Sequence, residues 1–179
     1  MIARYRLALV REPSTHPIGE QISAPSALAM ISRDILASEP QEVVICLHLD
    51  CGNRLRGYQE VARGAIDNAQ VDLRVLFAGV LVAGSPAFAL AHNHPSGDHT
   101  PSREDIALTK LVAQAANLLG VRFVDHLIVG DRGWSSLRQD GQLEPVFQEP
   151  RTEIQKRTCQ WKGGSDGEMQ DVWQADTCP

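Results

Sequence analysis

Two histidines and one aspartate near the middle of the chain have the types and spacing of a divalent-metal site. His92 and His94 follow the apolar run 87–91, which predicts a strand. Because strand side chains alternate between faces, imidazoles at i and i+2 project the same way. Asp105 lies in the predicted first turn of a helix, and a short loop can return its carboxylate to them. Two nitrogens and one oxygen leave a fourth position for water, which is typical of catalytic zinc.

The same stretch also has a purely structural explanation. Ser102 and Asp105 are spaced as an N-capping box, and the helix dipole favours a carboxylate in a first turn with or without a metal. A single histidine at a strand end is usually a hydrogen-bonded structural residue, and His99 in the connecting loop is expected to be exposed. Each residue alone is therefore ordinary, and the metal interpretation depends on their combination.

That combination resembles the signature of a known family. His92-x-His94-Pro followed by Ser102-x-x-Asp105 resembles the JAMM (MPN+) metalloprotease motif, and the string His-Asn-His-Pro-Ser-Gly is similar to the RadC branch in particular. The resemblance extends over roughly residues 25–138. Further matching positions lie at 41–44, 49–50, 53–54, 63–64 and 125–130. It implies a short RadC form, because full-length members carry an N-terminal helix-hairpin-helix region that is not seen here.

The resemblance implies a zinc-dependent, metallopeptidase-like hydrolase that cleaves a peptide or isopeptide bond. One Zn²⁺ ion per chain would be held by His92, His94 and Asp105. The partner would be a protein or peptide substrate, which the sequence does not identify.

A zinc hydrolase also needs a carboxylate that is not a ligand and can take a proton from the attacking water. Glu42 is the candidate, because it stands where the JAMM pattern has its upstream glutamate. Glu60 is the rival, since it too precedes the histidines in a predicted strand. The hydroxyl of Ser102 is expected to steady the oxyanion or only to cap the helix. Asp125 and His126, in a neighbouring strand, either orient a ligand or form a buried hydrogen-bonded pair.

Two other classes of function stay open. One is a non-catalytic or regulatory module associated with DNA repair or mobile elements, with a structural or vestigial metal site; the complete ligand set counts against it. The other is a zinc nucleobase or nucleoside deaminase, which requires His-x-Glu and Pro-Cys-x-x-Cys motifs that the sequence lacks. Manganese or iron could also occupy two imidazoles and a carboxylate.

Composition limits the partners and the compartment. The chain has 179 residues, of which 43% are hydrophobic, enough for one domain with a core. A net charge of −5 gives no general footprint for nucleic acid, although it leaves room for a local basic patch. The start lacks a signal peptide and no apolar run has membrane-spanning length, so a cytoplasmic location is expected. Nothing in the pattern specifies an oligomeric state.

The four cysteines do not have the spacing of a disulfide framework. Cys46 lies in an apolar run and is expected to be a buried hydrophobic residue, whereas Cys51 lies in a predicted turn. A second metal cluster with His48 is a weak alternative, because no Cys-x-x-Cys pair accompanies these residues. Cys159 and Cys178 are expected to be free thiols.

The hydrophobic pattern predicts an α/β fold with a mixed β-sheet flanked by helices, and the resemblance implies the JAMM/MPN (cytidine-deaminase-like) sandwich. Residues 1–22 are expected to hold an N-terminal edge strand (4–11) and a loop, residues 23–140 the RadC-like JAMM/MPN domain, and residues 141–179 a polar, flexible C-terminal tail. Strands are predicted at 43–49, 54–62, 87–91, 121–129 and 134–137.

Three helices are predicted within the domain. The first begins near Ser23 or Pro25 and ends before Pro40. The second is capped by Asp72 or Asn68 and stops near residue 84. The third follows Ser102 and ends at residue 120. Its apolar periodicity predicts a core face of residues 108, 111, 112, 115, 118 and 119.

Overall fold

The computed structural model describes residue 10 and residues 19–64 and 71–143, and within them five strands and three helices form the fold. In chain order these are α1 (Pro25–Leu36), β1 (Val43–Leu49), β2 (Leu55–Arg63), α2 (Leu73–Val82), β3 (Ala87–Asn93), α3 (Arg103–Leu118), β4 (Arg122–Gly130) and β5 (Gly133–Ser136). The predicted α/β class with a mixed sheet is confirmed. The strand expected at 4–11 and the tail beyond 143 lie outside the described residues, and the division into three segments stays a prediction.

The strand that carries the histidines is the central strand of the sheet. The strand order is β2-β1-β3-β4-β5. β3 runs antiparallel to β1 and parallel to β4, whereas the β1–β2 and β4–β5 pairs are antiparallel. Every residue of β1 and β3 is buried, as their continuous apolar sequences predict for strands covered on both faces.

Side-chain alternation along β3 assigns the site to one face of the sheet. Ala89 and Ala91 belong to the core that the sheet forms with α1, whereas Phe88 and Leu90 belong to the core formed with α2 and α3. By the same alternation His92 faces α3. The helix that begins at the capping serine therefore lies over the face on which the imidazoles project.

The helix α3 is rotated relative to the face that its leucines predict. The buried residues are Asp105, Thr109, Val112, Ala113 and Ala116, while Leu111 is 50% and Leu118 is 87% exposed. The prediction is wrong for Leu111, Leu118 and Leu119, which are exposed, and right for Val112, which is buried, and for Leu108 and Ala115, which pack against the core. Small side chains let the helix backbone approach the sheet, and the buried stripe at i, i+4, i+8 and i+11 begins with Asp105. The helix thus turns its carboxylate, rather than its largest apolar residues, toward the sheet.

The remaining elements follow local sequence signals. Pro25 occupies the first turn of α1. Asp72 is the N-cap of α2, and its carboxylate accepts from the backbone N–H of Arg74 at 2.8 Å. Asn68, the alternative cap, lies outside the described residues. No helix in the described part of the chain is both long and apolar enough to cross a bilayer.

Candidate metal centre

His92, His94 and Asp105 converge at the carboxyl end of β3. Nε2 of His92 lies 3.0 Å from Nε2 of His94 and 3.1 Å from Oδ1 of Asp105, and Nε2 of His94 lies 3.5 Å from Oδ2 of Asp105. Ligand atoms held about 2.0–2.1 Å from a tetrahedral ion are roughly 3.3 Å apart, so the spacing fits zinc. Among residues 19–64 and 71–143 this is the one His/Cys/Asp/Glu group close enough to hold a metal ion.

The hydrogen bond at the far side of His94 directs a nitrogen lone pair into this group. Nδ1 of His94 lies 2.8 Å from the carbonyl oxygen of Asp98. A carbonyl only accepts, so the ring carries its hydrogen on Nδ1 and Nε2 keeps a lone pair. That lone pair faces the carboxylate of Asp105, an arrangement that is repulsive until a proton or a cation lies between them. The donor chemistry therefore fits a divalent ion.

The carboxylate of Asp105 is held in its charged form. Burial by itself would raise its pKa, but the neighbouring imidazoles of His92 and His94 and the hydroxyl of Ser102 outweigh that effect and keep the pKa well below the usual range. The hydrogen bond to Asp105 correspondingly raises the pKa of His94.

The carboxylate of Asp105 can complete the capping box and bind a metal ion at the same time. Oδ2 of Asp105 accepts from the backbone N–H of Ser102 at 2.8 Å and from its hydroxyl at 2.6 Å. The Ser102 hydroxyl in turn accepts from the backbone N–H of Asp105 at 3.0 Å. One carboxylate oxygen therefore completes the helix cap, and the other faces His92.

Strand register brings Glu42 to the same place. Val44 pairs directly with His92 across β1 and β3, so Glu42, two residues earlier, comes level with His94 on the same face. The hydrogen bond to Asp105 is the largest contribution that raises the pKa of His94, and the charge of Glu42 contributes to a smaller extent. Strand register and this electrostatic effect thus place Glu42 near His94.

Glu60 is placed elsewhere. It pairs with Ile45, whose side chain belongs to the core formed with α1, on the opposite face from His92. Its carboxylate accepts from Nε of Arg63 at 3.0 Å and from Nη2 at 2.7 Å, and the same guanidinium binds Glu39. The rival carboxylate is therefore paired with an arginine and faces away from the candidate ligands.

Comparison with known proteins decides the family. Residues 22–142 match the family profile described as a RadC-like JAB domain. The chain belongs to the RadC family. This is the family that the motif resembles, and the match covers all the residues that converge at the site.

The relatives of this RadC chain include several UPF0758 proteins. One from Clostridium perfringens is 35% identical over 119 residues, which is 66% of this chain and 52% of the relative. One from Actinobacillus pleuropneumoniae is 38% identical over 123 residues, 69% and 56% of the two chains. One from Methanosarcina mazei is 33% identical over 140 residues, 78% and 59%. The chain thus spans between half and three-fifths of the length of these relatives.

Asn93, between the two motif histidines, is a positioning residue that the sequence analysis missed. Alternation turns it to the α1 face, where Nδ2 donates to the carbonyl oxygens of Gln41 at 2.9 Å and Glu39 at 3.3 Å. Its Oδ1 accepts from the backbone N–H of Val43 at 2.8 Å. These bonds hold the backbone on both sides of Glu42 against β3. The available signal was an amide on the apolar face of an otherwise apolar strand.

We expect Asn93→Ala to lower the free energy of unfolding by about 1–3 kcal/mol, because the buried N–H of Val43 loses its acceptor. Zinc stoichiometry should stay unchanged, since Asn93 contacts none of the three candidate ligands. Chemical denaturation and elemental analysis measure both quantities. Gln114→Ala, an exposed amide on α3, is the control and should change the unfolding free energy by less than about 0.5 kcal/mol. Equal stability of the two variants would contradict the positioning role.

Of the adjacent residues Asp125 and His126, only the histidine side chain reaches a candidate ligand. Nε2 of His126 lies 2.9 Å from Nδ1 of His92, and its Nδ1 lies 2.6 Å from Oγ1 of Thr109. Asp125 instead accepts from the Ser136 hydroxyl and from the backbone N–H of His126, each at 2.7 Å. Complete burial lowers the pKa of His126 to about 3, so the ring is neutral. Thr109 was not singled out in the sequence.

The loop between His94 and α3 is seated on the β4–β5 turn. A Cβ on Gly130 would lie 2.4 Å from the carbonyl oxygen of Gly97, so the two backbones are in direct contact. His99 is half-buried, and its Nδ1 lies 2.8 Å from Oγ of Ser135. The expectation that His99 is exposed is therefore wrong, because this loop packs against the neighbouring turn instead of extending into solvent.

The cysteines in the described part of the chain contribute no second metal cluster. Cys46 is fully buried, as predicted, and burial raises the pKa of its thiol far above the usual range. His48 uses Nδ1 for Ser85, whose hydroxyl lies 3.1 Å away. Cys51 is half-buried and forms no disulfide. Cys159 and Cys178 lie outside the described residues.

Proposed function

We propose that the protein is a zinc-dependent hydrolase of peptide or isopeptide bonds. The observation that carries the proposal is the convergence of His92, His94 and Asp105, with a fourth group, Glu42, level with them on the neighbouring strand. Three ligand atoms leave one position of a tetrahedral ion for water or substrate, and a non-ligand carboxylate beside it is what a zinc hydrolase requires.

In the proposed mechanism the roles divide among the residues already described. Held by His92, His94 and Asp105, a zinc ion would supply Lewis-acid chemistry that makes water easier to deprotonate and polarises the scissile carbonyl. Glu42 accepts a proton from the attacking water and passes it to the leaving amine. The Ser102 hydroxyl steadies the oxyanion once it turns away from Asp105 Oδ2, which it contacts in the resting structure.

A cavity adjoins one side of the site, at His94. It has a volume of about 270 Å³ and lies between the end of α1 and the histidine loop, reaching His94. Its lining includes Arg33, Glu39 and Asp131, so both signs of charge are present. We propose that a protein or peptide segment enters here next to the metal. The mixed charge does not favour a polyanion such as nucleic acid.

The proposal is tested by zinc content and peptide cleavage in wild type and His94→Ala. We expect about one zinc per wild-type chain, and new termini when a complex peptide library is incubated with it and analysed by mass spectrometry. His94→Ala should lose both. His99→Ala is the matched control, a histidine of the same loop outside the candidate ligand group, and should retain zinc. A folded wild type that takes up no zinc, or cleavage that survives His94→Ala, would contradict the proposal.

A further inference from the structure

A buried chain of hydrogen-bonding groups runs from the first turns of α3 to the back of His92. Oγ1 of Thr109 lies 2.6 Å from the carbonyl oxygen of Asp105, one helical turn earlier, and 2.6 Å from Nδ1 of His126. Nε2 of His126 lies 2.9 Å from Nδ1 of His92. All three side chains are at most 1% exposed. Their hydrogens are therefore arranged by these groups rather than by bulk water.

The carbonyl oxygen of Asp105 determines the direction of every hydrogen bond in this series of groups. A carbonyl cannot donate, so at 2.6 Å the Thr109 hydroxyl hydrogen points at Asp105 O. The Thr109 oxygen must then accept from Nδ1–H of His126. A neutral ring with hydrogen on Nδ1 has its lone pair on Nε2, so Nε2 of His126 accepts from Nδ1–H of His92. The reverse order would leave two oxygens 2.6 Å apart with no hydrogen between them.

We propose that Thr109 and His126 are positioning residues that hold His92 as the Nδ1–H tautomer, with the lone pair of Nε2 aimed at the metal. The inference rests on the proposed metal site. Hydrogen on Nδ1 of His92 matches the arrangement in His94, whose Nδ1–H donates to the carbonyl oxygen of Asp98. Both imidazoles are thereby set to bind a cation before it arrives, which lowers the free energy needed to organise the site.

A β-bulge in β4 brings His126 into this position. Phe88 pairs with Phe123 and Leu90 pairs with His126. Between these pairs β3 has one residue and β4 has two, so the side-chain alternation of β4 shifts by one. Without the extra residue, His126 would point to the α1 face. With it, Phe123 and His126 both face α3, and the ring lies between Thr109 and His92.

The tautomers can be read directly in the metal-free, full-length protein. Long-range ¹H–¹⁵N correlation spectra distinguish a protonated ring nitrogen from one with a free lone pair. We expect hydrogen on Nδ1 of both His126 and His92. Thr109→Val removes the hydroxyl while keeping side-chain volume, and we expect His126 and His92 to become mixtures of tautomers. Thr109→Ser restores the hydroxyl and should restore the wild-type spectrum.

Zinc affinity, measured by competition with a chelator, gives the second readout. We expect Thr109→Val to bind zinc about ten- to a hundred-fold more weakly than wild type, and Thr109→Ser to recover most of that loss. Ser85→Ala is the matched control, since it removes a buried hydroxyl from a histidine, His48, that lies outside the candidate ligand group. Its zinc affinity should equal that of wild type.

The outcomes separate this inference from the proposed function. Absence of hydrogen from Nδ1 of His126 or of His92 in metal-free wild type overturns the inference, even if Thr109→Val does not fold. Unchanged tautomers and affinity in a folded Thr109→Val also overturn it, while tight zinc binding by wild type keeps the metal site. A wild type that binds no zinc overturns the proposed function, whatever the tautomers are.

Discussion

Glu42→Gln is expected to retain about one zinc per chain and to lose turnover by about two to four orders of magnitude. Glutamine keeps the size of the side chain but cannot accept a proton from the attacking water. The three candidate ligands are unchanged, so metal content should be unaffected. The measurement is elemental analysis together with the initial rate on a peptide that wild type cleaves.

Glu60→Gln is the matched control for this experiment. It makes the same chemical change in the neighbouring strand, on a carboxylate that binds Arg63 and faces away from the site. We expect a wild-type rate of cleavage, with at most a small change in stability because the ion pair is exposed. Full activity in Glu42→Gln, or loss of activity in Glu60→Gln alone, would show that the base is assigned to the wrong residue.

Most helix and strand boundaries could be predicted from the sequence because neighbouring residues carry the signals that set them. Neighbouring residues encode the apolar runs, the Asp72 cap and the turn at Asp50. In that turn the Asp50 carboxylate accepts from the backbone N–H groups of Gly52 and Arg54, each at 2.8 Å. The convergence of the histidines with Asp105 followed from alternation along a strand and from the capping signal of the next helix. Those parts of the site are short-range consequences of the sequence.

The parts that the sequence did not predict depend on contacts between distant elements. A one-residue bulge decides which face of β4 carries His126, and no residue type in the sequence indicates where that bulge lies. The rotation of α3 depends on how closely Thr109, Ala113 and Ala116 approach the sheet, which hydrophobicity alone does not report. The preference for Glu42 over Glu60 came from the family resemblance, whereas the pairing register that separates the two side chains in space is not encoded locally. Each of these is a tertiary property that overrides local pattern.

The side chain of Asp105 serves both the N-terminal cap of α3 and the candidate metal site. Its Oδ2 belongs to the helix cap with Ser102, and its Oδ1 faces His92. We expect Asp105→Ala to reduce zinc content from about one per chain to near zero, because only two imidazoles remain. The same change should lower the free energy of unfolding by about 0.5–2 kcal/mol through loss of the cap. Elemental analysis and denaturation of the metal-free protein measure the two effects separately.

Ser102→Ala tests whether Asp105 holds the metal as a ligand or only by capping α3. It removes the other half of the capping box but leaves the carboxylate and both imidazoles in place. We expect a comparable loss of stability, about 1 kcal/mol, with zinc content retained. If Ser102→Ala lost its metal as completely as Asp105→Ala, the cap rather than the carboxylate would be what the ion requires. Zinc retained in Ser102→Ala and lost in Asp105→Ala would instead assign the Asp105 carboxylate as the oxygen ligand, because the two proteins share the same damaged helix start.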